Sequence, residues 1–128
     1  VIHYFKQCHA VFLESNYDEA MLENGKYPVH LKNRIRGGQG HLSNKEAFDL
    51  FITHRSPSLS HLLLSHLSKE NNSPEIAAAL FQHYAENIKI TVASRYESTE
   101  VFTIASGVSN NDLPFIKASK PMQLGLFE

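Results

Sequence analysis

A chain of 128 residues has room for one domain or part of one, and 42% hydrophobic with 20% charged residues is a globular balance, not a disordered one. Lys and Arg total 12 against 13 Asp and Glu, a net charge of -1, which excludes a histone-like binder held to nucleic acid by charge alone. No apolar run approaches the roughly 18 residues a bilayer span needs, and the single cysteine, Cys8, excludes an internal disulfide and a Cys-rich zinc site.

The absence of a membrane span and of a signal-peptide pattern in Val1-Ile2-His3-Tyr4, together with the sparse cysteine, fits a reducing, cytoplasmic setting. Ile2, Phe5 and His9 open the chain on one helical face. Ala10-Val11-Phe12-Leu13 then reads as a short buried strand, closed by the polar loop Glu14-Ser15-Asn16-Tyr17-Asp18. A short helix follows over 18–22 and stops at Asn24-Gly25. Pro28 starts another, running through Leu31 and Ile35 until Gly37, Gly38 and Gly40 break it. Ser43 and Glu46 spell a capping box, with Ala47, Leu50 and Phe51 as the apolar face behind it. Residues 60–65 read as a strand. Ser73 with Pro74 at the first helical position opens a helix whose predicted buried stripe is Ile76, Ala77, Leu80, Phe81 and Tyr84. Residues 87–93 give another strand and 100–104 a last one at an edge. From Ala105 the texture turns to Ser, Asn, Gly and Lys, so residues 105–121 read as a linker or mobile tail before the apolar patch at 122–128.

Strands alternating with helices predict an α/β layered domain, in which functional residues gather at the C-terminal ends of strands. Three polar clusters sit there or nearby: residues 14–18, 40–44 and 65–72. A histidine directly after an apolar strand, such as His66, is held by a stiff element, which suits a metal ligand; it equally suits a histidine that only hydrogen-bonds its loop. Lys26, His30, Lys32, Arg34 and Arg36 form a basic cluster that is either a phosphate grip or a solvated helix face.

Leu13-Glu14-Ser15-Asn16-Tyr17-Asp18, Tyr27-Pro28, Leu31-Lys32, Arg34-Ile35, Gly40-His41-Leu42-Ser43-Asn44, Leu64-Ser65-His66-Leu67-Ser68 and Glu70-Asn71-Asn72, in this order, resemble the C-terminal half of a metallo-β-lactamase-fold hydrolase. The resemblance is nearest to the bacterial branch that includes DNA exonucleases, and it covers residues 1–104. It implies the second half of an αββα sandwich with a flexible C-terminal tail. It makes His66 a metal ligand and His41 a catalytic group near the scissile phosphate. Glu14, Asn16, Asp18, Asn71 and Asn72 become residues that support the site, while Lys32, Arg34 and Arg36 could bind phosphates. Tyr17 departs from the pattern, where many relatives carry histidine.

The family's His-x-His-x-Asp-His motif is absent from these residues. The expectation is therefore a part of a longer enzyme that would hold two divalent ions, Zn or Mn, and that as a fragment would be inactive and could be metal-free. The substrate class implied is a phosphodiester, DNA first. A small-molecule phosphodiesterase or ester hydrolase on the same fold, and a non-catalytic interaction module, stay open beside it. Gln123-Leu124-Gly125-Leu126-Phe127 resembles the peptide with which bacterial replication and repair proteins dock on the sliding clamp, with Gln123, Leu124, Leu126 and Phe127 as contacts. A half domain with an open sheet edge also suggests pairing as a homodimer.

Overall fold

The computed structural model describes residues 1–105. The elements run α1 (Ile2–Phe5), β1 (Ala10–Glu14), α2 (Glu19–Asn24), α3 (Val29–Arg36), α4 (Asn44–His54), β2 (His61–Ser65), α5 (Pro74–Gln82) and β3 (Lys89–Val92). The three strands form one parallel sheet in the order β1-β2-β3. Parallel neighbours need crossover connections, and here α2–α4 bridge the first pair and α5 the second.

Local chemistry explains the boundaries. Ser43 accepts from the Glu46 N–H while the Glu46 carboxylate accepts from the Ser43 N–H, so both halves of the capping box form. Ser73 caps α5 through the Ile76 N–H, with Pro74 in the first turn. Asp18 caps α2 by accepting from the Met21 N–H at 2.9 Å. After α3 the chain reverses at Gly38, whose φ is +76°, and Gly40 lies so close to the helix end that an added Cβ would sit 2.6 Å from the Arg34 carbonyl oxygen.

The core fills one face of the sheet. Leu13, Leu62 and Leu64 point to it, with Val11, Ile90 and Val92 packed alongside, and α4 and α5 cover it with Ala47, Phe51, Ala77 and Phe81. The Phe51 and Phe81 rings lie 5.6 Å apart, a centroid spacing at which aromatic pairs attract.

Several expectations fail for a common reason, which is that burial depends on tertiary neighbours. Residues 10–13 form a strand, but Phe12 is 73% exposed because it points away from the helix-covered face. Ile76 and Tyr84 are exposed, and the stripe narrows to Ala77 and Phe81 with partly buried Leu80. Residues 100–104 form no strand. Instead Phe102 packs its ring on His61 and under the Lys89 ammonium. The clamp-like residues Gln123, Leu124, Leu126 and Phe127, and the linker from 106 on, lie outside the described residues. No helix among the described residues is long and apolar enough to cross a membrane.

Candidate active site

Glu14 ends β1 and Ser65 ends β2 directly beside it, so the next residue, His66, emerges at the C-terminal edge of the sheet next to the Glu14 carboxylate. The glycine turn after α3 returns the chain to the same edge, where the His41 N–H meets the Ile35 carbonyl at 3.3 Å. These paths converge on one atom. Glu14 Oε1 accepts from His66 Nδ1 at 2.6 Å and from His41 Nδ1 at 2.8 Å, while Oε2 accepts from the Leu42 N–H at 3.3 Å. The two rings meet edge to face with centroids 5.0 Å apart.

Burial by itself pushes the Glu14 carboxyl up; the hydrogen bonds from His41 and His66, the Leu42 N–H and the charge of His41 outweigh it, and the group ends below the ordinary carboxylate value. An ionised carboxylate can only accept, so each imidazole donates its Nδ1–H to Glu14 and keeps Nε2 out of that bond. This is the carboxylate–histidine arrangement that orients metal ligands and raises their basicity. The donor atoms of Glu14, His41 and His66 all lie within 4.8 Å of one another. With Glu14 engaged by both rings, the set fits a supplier of imidazole nitrogen to a divalent ion. It falls short of the roughly four ligands that a zinc ion needs.

Behind the imidazoles is a buried polar knot. Asn44 and Asn72 exchange side-chain hydrogen bonds at 2.9 and 2.8 Å, the Ser15 hydroxyl donates to Asn44 Oδ1 at 2.6 Å, and the Asn72 amide also donates to the Ser15 and Asn16 carbonyls. Asn16 carries this rigidity forward, since its side chain donates to the His66 carbonyl at 2.6 Å. That bond holds His66 at φ 60°, a left-handed conformation that costs a non-glycine residue about 1 kcal/mol or more.

The structure thus gathers Glu14, His41 and His66 directly, with Asn16 and Asn72 as their supports. Asp18 instead caps α2, and Asn71 ties the surrounding loops together, its carbonyl accepting from the Asp18 N–H while its own N–H donates to the hydroxyl of Ser68, which lines the groove. Lys32 and Arg36 both turn to Glu23, the first to its carbonyl at 2.5 Å and the second to its carboxylate at 2.8 Å. Arg34 alone of the expected phosphate binders lines the groove beside His41 and His66, a cavity of about 810 Å3. Sequence reasoning passed over Ser15, Asn44 and Arg95. The first two stand in motifs it quoted and were legible as a polar pair flanking the histidines. Arg95 follows β3, where only the strand order places it next to His66.

Over 92 residues the chain is 33% identical to the exodeoxyribonuclease YycJ of Bacillus anthracis, a match that covers 72% of this chain and 35% of that protein. Over 65 residues it is 40% identical to the exodeoxyribonuclease WalJ of Streptococcus pneumoniae, covering 51% of this chain and 24% of the relative. The chain is related to these two exodeoxyribonucleases. Its match spans about a third of the length of YycJ and a quarter of that of WalJ. No family model and no solved structure matches it.

Proposed function

We propose that this chain carries one side of the active centre of a metal-dependent phosphodiesterase that degrades DNA from an end, on the second half of a metallo-β-lactamase-type sandwich. The observation that carries the reading is a single carboxylate oxygen, on Glu14, gripping the imidazoles of His41 and His66 at the C-terminal edge of a parallel sheet. The names of the relatives YycJ and WalJ support the substrate class.

His66 would hold a divalent ion through Nε2, with the remaining ligands coming from outside these residues. Bound divalent metals make a water nucleophilic near neutral pH and offset charge on a phosphoryl group. The chain's own residues do the rest. Glu14 fixes the tilt of both rings, His41 in its doubly protonated form would donate its Nε2–H toward the leaving oxygen while its Nδ1–H stays on Glu14, and Asn16 keeps the His66 backbone in place.

His66→Gly separates function from folding, because glycine adopts φ 60° freely and the lost side chain is largely exposed. Expected is thermal stability close to wild type in the intact protein, the relief at φ 60° offsetting the lost bond to Glu14, with release of nucleotides from end-labelled DNA falling by more than about 100-fold, beyond the roughly 10–100-fold typical of a residue that only orients a ligand. Activity within a few-fold of wild type would remove His66 from the centre.

A further inference from the structure

Two cavities adjoin at the site and share a wall. His66, Leu67, Ser68, Lys69 and Arg95 line both. The larger, of about 810 Å3, is polar, with Asn16, Arg34, Gln39 and His41 on its far side. The smaller, of about 600 Å3, is mostly apolar beyond the wall, where Pro74, Val92, Ala93 and Tyr96 bound it together with Asn72 and Ser94. Neither has an aspartate or glutamate among its lining residues.

Charge is distributed with the same asymmetry. Arg36, Lys45, Arg55 and Lys89 are each paired with a carboxylate, on Glu23, Asp49, Glu86 and Glu100. Arg34, Lys69 and Arg95 surround the two histidines and make no ion pair among the described residues. Arg95 is held in place without being neutralised, since it donates to the Leu67 carbonyl at 2.5 Å. Tyr96 stands beside it at the mouth of the apolar cavity, 79% exposed, an aromatic surface no other part of the described fold covers. Unpaired cations beside an apolar slot with an aromatic lip suit a ligand that alternates anionic and flat aromatic groups, as a single nucleic-acid strand does.

We propose that the two cavities form a track for the end of a single DNA strand. Arg34, Lys69 and Arg95 hold phosphates around His66, and the apolar cavity takes the adjoining base, stacked on Tyr96. This goes beyond the nuclease reading and rests on it, because it assigns a base-binding subsite and a preference for an unpaired end.

The test measures binding of the intact protein to a single-stranded oligonucleotide whose terminal linkages are phosphorothioates, and to the same oligonucleotide with an abasic residue at either end. Tyr96→Ala should weaken the base-bearing strand by roughly 5- to 100-fold, the usual worth of one stacked base, and leave the abasic strand nearly unaffected. Arg95→Ala should weaken both strands alike and lower the salt dependence of log Kd by about 0.7, the contribution of one phosphate contact on a single strand. Tyr96 is exposed, so its removal should leave the melting temperature unchanged and the loss cannot be ascribed to unfolding. Equal binding of both strands by wild type, or equal losses on both with Tyr96→Ala, would overturn the base subsite while the nuclease reading stands. Absence of DNA binding by the wild type would overturn both.

Discussion

The sheet is held in two different ways. On its helix-covered face Leu62, Leu64, Phe51 and Phe81 are in contact through apolar surface, which has no preferred direction. At its C-terminal edge Ser15, Asn16, Asn44 and Asn72 are joined through hydrogen bonds, which fail within a few tenths of an ångström. The contrast matches two tasks. A core must exclude water, and many shapes do so. A site must hold two imidazoles against one carboxylate oxygen, which only directional bonds on a stiff support can maintain.

If that division is right, the largest loss of stability comes from emptying the core. Phe81→Ala, which removes a fully buried ring from the contact between α4 and α5, should cost about 3–5 kcal/mol in urea unfolding. Phe81→Leu should be far milder, because volume matters there more than geometry. Next comes the polar knot. Asn72→Ala strips partners from the Asn44 amide and from the Ser15 and Asn16 carbonyls, at about 2–3 kcal/mol. Here the near-isosteric Asn72→Leu should be no milder, and that reversal of the core's pattern sharpens the comparison. Comparable tolerance of leucine at both positions would break it.

The smallest effect on stability, and the most specific, concerns Glu14. Against the upward push of burial, the hydrogen bonds from His41 and His66 hold its folded pKa below the ordinary carboxylate value, so its contribution is complete above that ordinary value and is lost as pH falls through the lower folded one. Glu14→Gln should therefore lower stability at neutral pH and flatten the loss between neutral and acid pH, until both proteins melt alike at strongly acid pH. A difference that persisted undiminished at low pH would mean that the carboxylate charge plays no part in holding the imidazoles.

How much of this could be read before the fold was known differs by residue. Ser43 with Glu46, and Ser73 with Pro74, mark helix starts correctly because capping is satisfied within four residues. His41, His66 and Glu14 were identified as one site through the resemblance and not through spacing, since 27 and 52 residues separate Glu14 from its partners. The basic run at 32–36 divides in the fold. Three cations of one helix look alike in sequence, yet α2 presents Glu23 to Lys32 and Arg36, while Arg34 faces the groove.

The sequence by itself determined where the helices capped by Ser43 and Ser73 begin and that the segments around 10–13, 60–65 and 87–93 are apolar enough to be strands, because each depends on neighbours along the chain; it did not show that 100–104 stays out of the sheet. Only the tertiary structure decided that Phe12 faces away from the core, that Arg95 stands beside His66, and that one oxygen of Glu14 serves two imidazoles. Those outcomes follow from parallel strand register, which brings residues far apart in the chain to one edge at distances no local pattern encodes.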